Sequence, residues 1–202
     1  EQVVAGLAPD LATAIANARL IDQMKERDVA LTRRNVDMTL LNDIASTLTS
    51  SLELDEILNK TLGLVMNYMK VEAGEIFLLE EDKTTLRMML HRGQAAEAFW
   101  THNIFRVGEG YPGVVAETCR PLICTDLAND PNFQREAVVK AGFHQVLSFP
   151  LVSGERVMGV MSIATRSKSA FEDRSVQMLT AVGAWAGLSI ENARLHVNAR
   201  RL

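Results

Sequence analysis

The chain has 202 residues, a net charge of −4, and 48% hydrophobic and 23% charged residues. This balance is typical of a globular protein with a sizeable core and excludes an intrinsically disordered chain. The negative charge gives no basic surface for nucleic acid or an anionic membrane, and no apolar run approaches the roughly 20 residues that span a bilayer. Two cysteines are too few for a disulfide framework, so we expect a cytoplasmic protein.

A long helix is predicted at the start of the chain. Residues from about 10 to 50 contain no glycine or proline, and apolar residues recur with the 3.5-residue period of a coiled-coil seam. We expect this helix to pair in a homodimer; the alternative is a solvent-exposed helix packed on its own domain. The seam positions are Leu20, Met24, Arg27, Leu31, Arg34, Met38, Leu41, Ala45 and Leu48.

Part of this helix is repeated near the end of the chain. The run Ala-Ile-Ala-Asn-Ala-Arg-Leu at 14–20 returns as Ser-Ile-Glu-Asn-Ala-Arg-Leu at 189–195. We interpret the second copy as this domain's exit helix and the first as that of a preceding domain of the same kind. The expected organisation is a linker helix at 1–37, one domain at 38–198, and the start of a downstream linker helix at 199–202.

The elements between the two copies predict an α+β fold. The spacing from Ser50 to Glu53 matches a capping box and predicts the start of a second helix. Two antiparallel hairpins follow, one with strands at 76–79 and 86–90 and the other with strands at 146–152 and 156–165. In the first hairpin, Leu86, Met88 and Leu90 alternate with Arg87 and His91, as in a half-buried strand.

The region between the hairpins is rich in glycine and proline and predicts loops with short helices. Asp130-Pro131 is typical of a helix N-cap followed by proline at the first helical position. Phe171-Glu172-Asp173 predicts the opening of the exit helix, because acidic residues favour the positive end of the helix dipole.

Several of these segments, in this order and spacing, resemble the GAF domain, a small-molecule-sensing module of bacterial signalling proteins. The resemblance implies a six-stranded antiparallel sheet with helices on both faces and a dimer formed by the first and last helices. The repeated exit helix with its heptad-like linker is similar to the tandem GAF arrays of sensor histidine kinases, which implies upstream and downstream domains in the same chain. Such arrays also occur in diguanylate cyclases, phosphatases and transcriptional regulators. The segments are 106–110 with 113–117, 121–123 with Asp126 and 130–131, 147–151, 159–161 and 171–173.

The resemblance also implies a ligand site on the concave face of the sheet, beneath the loops around 126–133 and His144. It does not identify the effector. The candidate pocket residues are Cys124, Asp126, Phe133, His144, Ser148 and Met161.

Two alternative chemistries depend on single residues. Cys119 and Cys124 form a C-x4-C pair that is a candidate redox switch, although Cys124 on a short strand also fits a small hydrophobic role. Bilin attachment is disfavoured, because neither cysteine is followed by histidine. His144 is a candidate haem ligand, and the alternative is a histidine of the pocket rim.

No catalytic constellation or metal-ligand cluster stands out in the sequence. We therefore expect a non-enzymatic sensor module of a signalling protein, with a histidine kinase as the favoured parent. The alternatives are a ligand-free dimerisation spacer and a haem or redox sensor.

Overall fold

The computed structural model describes residues 18–32, 34–40, 42–43, 53–168, 171 and 173–199. The leading helix α1 comprises the helical residues 18–32, 34–40 and 42–43, and the chain divides after Leu40 into two compact units. Apolar side chains of the predicted seam are exposed in the single chain, Met24 by 70% and Met38 by 68%. The start of the first repeat copy, at 14–17, and the capping-box residue Ser50 lie outside the described residues.

The second unit is an α+β domain with one six-stranded sheet, as the sequence predicts. Strand order is β3-β2-β1-β6-β5-β4, and all neighbouring strands are antiparallel. None of the described helices combines the length and the apolar character of a bilayer span. In chain order the elements are α2 (Leu54–Met69), β1 (Ala73–Leu79), β2 (Thr85–Gly93), α3 (Ala96–Trp100), β3 (Ile104–Arg106), α4 (Gly110–Thr118), β4 (Leu122–Cys124), α5 (Glu136–Lys140), β5 (Gln145–Ser153), β6 (Arg156–Thr165) and α6 (Asp173–Ala199).

Different helices pack on the two faces of the sheet. Successive side chains of a strand point to opposite faces, so Gly74 of β1 lies against α2 while Glu75 reaches Arg135 on the other side. Helices α2 and α6 cover the first face. Helices α3, α4 and α5 lie on the second face, together with residues 125–135, which hold no helix or strand and which we call the roof segment.

A β-bulge changes the predicted orientation of β2. Leu86 and Met88 are buried as the alternation predicts. The pairing then shifts by one residue, because Phe77 pairs with Met88 whereas the preceding Ile76 pairs with Leu90. The extra residue reverses the faces beyond it, so His91 lies opposite Glu75. The prediction that His91 points away from the buried face is therefore wrong.

The predicted helix at Asp130-Pro131 is also wrong, since α5 begins only at Glu136. Asp130 instead accepts a hydrogen bond from the backbone N–H of Asn132 at 2.8 Å through its side chain. Its carbonyl oxygen accepts one from the N–H of Phe133 at 3.1 Å. Aspartate side chains favour such turns as much as helix N-caps, and here the turn is formed.

Helix α6 approaches the backbone of β5 closely at two glycines. A Cβ at Gly183 would overlap the carbonyl oxygen of Pro150, and a Cβ at Gly187 would overlap that of Val152. The absence of side chains at these positions therefore sets the distance between the exit helix and the sheet.

We expect Gly187→Ala to lower the free energy of unfolding by about 1–3 kcal/mol, because the new methyl group meets rigid backbone. Gly63→Ala in α2 is the matched control, since its Cβ meets only the movable guanidinium of Arg92. In Gly63→Ala, the gain in helix propensity of about 1 kcal/mol should offset the cost of displacing the Arg92 guanidinium. Urea unfolding of both variants measures the difference; equal stabilities would contradict the close-contact argument.

Candidate functional site

A buried ion pair joins the roof segment to the centre of the sheet. Arg135, the last residue of the roof segment, donates from Nη1 to Oε1 of Glu75 at 2.6 Å and from Nη2 to Oε2 at 2.8 Å. The side chains are 3% and 1% exposed. The paired geometry is that of the strong, planar guanidinium–carboxylate contact, which fixes orientation as well as distance.

Three aromatic rings surround the same guanidinium. Its Cζ lies 5.1 Å from the ring centroid of Phe99, 5.7 Å from that of Phe105 and 5.8 Å from that of Phe133. Nη1 also donates to the carbonyl oxygen of Phe99 at 3.2 Å. Aromatic faces within about 6 Å attract a cation, so these groups solvate the guanidinium in place of water. We call Glu75, Phe99, Phe105 and Phe133 the cation cage.

His91 lies beside the cation cage. Its ring is 4.8 Å from that of Phe99, and both ring nitrogens are buried without a hydrogen-bond partner. Burial lowers the pKa of His91; Glu75 and the Gln94 backbone oppose this shift, and Arg135 adds to it. The imidazole is therefore neutral at neutral pH, with one nitrogen able to accept and one able to donate.

A second polar cluster fixes the middle of the roof segment. The Tyr111 hydroxyl donates to Oδ2 of Asp130, and the Cys124 thiol donates to the same oxygen at 3.4 Å. The bond from Tyr111 lowers the pKa of Asp130, while burial raises the pKa values of Tyr111 and Cys124. The cluster thus ties the roof segment to both α4 and β4.

A small cavity lies between the roof segment and the sheet. Its volume is about 10 Å³, enough for roughly one water molecule. On the sheet side it is bounded by Ser148 and Ser162, whose buried hydroxyl oxygens are 2.7 Å apart. The chain's own side chains therefore fill the concave face. Roof-side lining residues include Tyr111, Phe133 and Arg135.

The predicted pocket residues separate into two groups. Phe133 and Ser148 line the cavity, and Cys124 is buried beside it in contact with Asp130. Asp126 instead lies on the surface, where its carboxylate accepts from the Asn129 side chain at 2.7 Å.

Met161 and His144 lie away from the cavity. Met161 pairs with Ile76 and Phe149 on the sheet face covered by α2 and α6, because side chains of β6 alternate and its neighbour Ser162 occupies the cavity side. His144 is half-buried, and its backbone bonds to Thr165 and Leu127. Among the described residues no group of three or more His, Cys, Asp or Glu side chains could hold a metal ion.

The two cysteines differ in environment. Cys119 is exposed at the end of α4, whereas Cys124 is 5% exposed and its pKa is raised by burial. The thiolate is the reactive form, so the buried member of the pair is the less reactive one.

We expect an aromatic disulfide reagent to modify one thiol per native chain rapidly and the second only on unfolding. Cys119→Ser should remove the fast phase, and Cys124→Ser should leave it unchanged. Absorbance of the released thiolate measures both phases. Two fast thiols, or a disulfide formed by mild oxidation of the folded chain, would support the redox alternative instead.

Comparison with known proteins places this geometry in a family. The GAF domain model (GAF_2) matches residues 51–191. The "Nif-specific regulatory protein" of Herbaspirillum seropedicae is 26% identical over 162 residues, covering 77% of this chain and 30% of the relative. That of Azospirillum brasilense is 26% identical over 169 residues, covering 80% of this chain and 26% of the relative. The chain therefore spans less than a third of these relatives' length.

A solved structure with the same fold is the GAF domain of the phosphoenolpyruvate-protein phosphotransferase from Acinetobacter. It has a TM-score of 0.68 and 22% identity, and the match covers 80% of this chain and 97% of that one. The family model matches well over half of the chain and includes all six strands of the sheet. The chain belongs to the GAF domain family and is a regulatory module of the kind found in signalling proteins.

Proposed function

We propose that this domain is a sensor module in which a small effector binds between the roof segment and the sheet. The observation that carries the proposal is the buried Glu75–Arg135 pair at the centre of that interface. A buried ion pair contributes little net stability compared with well-packed apolar residues. Its place between the roof segment and the sheet therefore favours a role in controlling their closure, and the alternative is a purely structural contact.

The strands under the roof segment also contact the helices on the other face. Strand β5 carries Ser148 beneath the cavity and lies against Gly183 and Gly187 of α6 on its reverse side. Strand β1 carries Glu75 towards the roof and Gly74 towards α2. An effector with unequal affinity for two arrangements of the roof would thus shift the position of both helices.

We further propose that the signal leaves through a homodimer. Helix α6 presents Leu188, 51% exposed, and Leu195, 60% exposed, on the side away from the sheet. These residues are seven positions apart, which is the spacing of a coiled-coil stripe. The exposed apolar residues of α1, such as Leu20 and Met24, would extend the same kind of interface.

The parent protein is proposed to be a cytoplasmic regulator with further domains before and after this one. The names of the two regulatory relatives support a regulatory protein, whereas a histidine kinase, the parent favoured by the sequence, is the alternative. We propose no enzymatic activity for the domain itself.

A ligand-free dimerisation spacer is the second candidate function. The water-sized cavity favours it, because a domain that never binds a ligand has no need for an open pocket. The haem and thiol alternatives have less support, since His144 lies away from the cavity and the pKa of Cys124 is raised.

The chain should be a dimer in sedimentation velocity experiments at micromolar concentration. Leu188→Glu combined with Leu195→Glu should shift the population towards monomer. The two new carboxylates of one protomer would face those of its partner across the interface and repel them. Thr180→Glu, exposed on the flank of the same helix, is the matched control. A wild-type monomer at high concentration, with helices intact by circular dichroism, would contradict the dimer.

Native mass spectrometry should find a fraction of the chain carrying a small molecule that is lost on denaturation. Ser162→Leu should reduce retention because it fills the cavity, whereas the neighbouring Met161→Leu on the opposite face should not. Folding of both variants is checked by thermal unfolding. If protein purified from its natural host shows only the mass of the chain without a bound molecule, the result would favour the dimerisation spacer.

A further inference from the structure

We propose that the cation cage is a ligand site for a small guanidinium or primary-amine compound, and that the chain's own Arg135 occupies it in this closed form. This inference rests on the proposed sensor function and specifies the chemistry of its effector. It treats Arg135 as an internal ligand that an external cation of similar chemistry replaces when the roof segment lifts.

The composition of the cage matches the recognition of a cation. Glu75 supplies a carboxylate that accepts two parallel hydrogen bonds, and the Phe99 carbonyl accepts a third. Phe99 and Phe105 add aromatic faces from α3 and β3, two elements outside the roof segment. Carboxylate, carbonyl and aromatic faces together form the chemistry that binds quaternary, guanidinium and ammonium groups.

The residues that remain at the cation cage when the roof segment lifts are those that belong to other elements of the fold. Arg135 and Phe133 belong to the roof segment and would leave with it, whereas Glu75, Phe99 and Phe105 would stay. The remaining site holds a buried carboxylate without a counter-ion, and an uncompensated buried charge is strongly unfavourable. An anionic effector drawn to Arg135 would leave this cost in place, whereas a cationic effector would remove it.

His91 adds a hydrogen-bonding group that Arg135 does not use. It is opposite Glu75 in the strand pairing and in ring contact with Phe99, and neither of its ring nitrogens has a partner. A neutral imidazole beside the carboxylate can accept an N–H from a ligand whose donors extend further than those of Arg135.

The space available limits the size of the ligand. The cavity of about 10 Å³ adjoins the Arg135 side chain and includes the Ser148 and Ser162 hydroxyls. Removal of the arginine side chain would join its volume to this cavity. The resulting site would take an alkyl guanidine or alkyl amine about as long as an arginine side chain, with a polar end towards the serines.

The test uses the full chain and ethylguanidinium chloride as the probe, with equal concentrations of sodium chloride as the ionic-strength reference. Arg135→Ala removes the internal ligand and should bind the probe at least tenfold more tightly than wild type. Its melting temperature should rise by about 3 °C or more at ten times the dissociation constant. Saturation-transfer NMR measures binding, and differential scanning fluorimetry measures the melting temperature.

The double variant Glu75→Gln, Arg135→Ala is the matched control. It lacks the carboxylate and should neither bind the probe nor gain stability from it. Equal responses of the single and double variants, or no response of Arg135→Ala, would overturn the proposal. Where Arg135→Ala does not fold unaided, its recovery on refolding with and without the probe replaces the melting temperature, and recovery equal to that of the double variant would overturn the proposal.

Two further probes in the same experiment, ethylammonium and acetate, distinguish amine ligands and anionic ligands from guanidinium ligands. Binding of ethylammonium would extend the site to amines, whereas tight binding of acetate to the wild-type chain would overturn the cationic assignment. Failure of all cationic probes alongside a retained small molecule in the native mass spectrum would overturn only this inference. A bare chain in that spectrum would count against the sensor function itself.

Discussion

A charge that must be neutralised inside the domain constrains one entire face of the sheet. Glu75 lies on the central part of β1 with 1% of its side chain exposed, and it can be there only because Arg135 reaches it from 60 residues further along the chain. Losing either partner of such a pair costs about 3–5 kcal/mol, so the roof segment is held at the distance that the ion pair requires. The aromatic rings around the guanidinium are then fixed in turn, since they replace its hydration.

Both faces of the sheet are packed by apolar side chains, and the roof face adds a buried ion pair and directional hydrogen bonds. On the side of α2 and α6, buried residues such as Leu62, Leu147 and Ile190 form an apolar interface whose stability is non-directional. On the roof side, a second apolar core that includes Leu127, Val138 and Phe143 is joined by directional hydrogen bonds from Arg135, Tyr111 and the serine pair. Opening the roof is therefore sensitive to the charge of whatever enters, whereas the helical side responds mainly to shape.

The sequence predicts the sheet well because most of its strands follow simple patterns. The apolar run 76–79 lies in a central strand, and a two-residue turn at Gly154-Glu155 joins β5 and β6 close to the predicted strand positions. The site is less predictable for three physical reasons. The bulge near Met89 reverses the faces of β2, and no pattern within that strand alone shows it. Asp130 favours a turn and a helix start almost equally. Arg135 lies in a segment without periodicity, so nothing local indicates its partner on β1.

One signal in the sequence did point to the site. Glu75 interrupts an apolar strand, and a charge in such a run indicates a buried partner or a functional group. The family resemblance points instead to the loops, where two of the residues it implies, Asp126 and His144, lie away from the cavity. Met161 is next to the cavity residue Ser162 on β6, and because neighbouring side chains of a strand point to opposite faces, it lies on the other side of the sheet. Ser148 and Phe133 line the cavity, because the resemblance brings together the strand and the loop that bound it; their role in ligand binding stays a prediction.

The contact between α6 and β5 at Gly183 and Gly187 has a mechanical consequence. Most helices rest on a sheet through a layer of side chains, and rotamer changes in that layer absorb small displacements. Here the helix backbone meets the carbonyl groups of the strand directly. Such a junction has little compliance, so strand and helix translate together as a rigid body. A sub-ångström movement of β5 would therefore reach the far end of a 27-residue helix with little loss of amplitude.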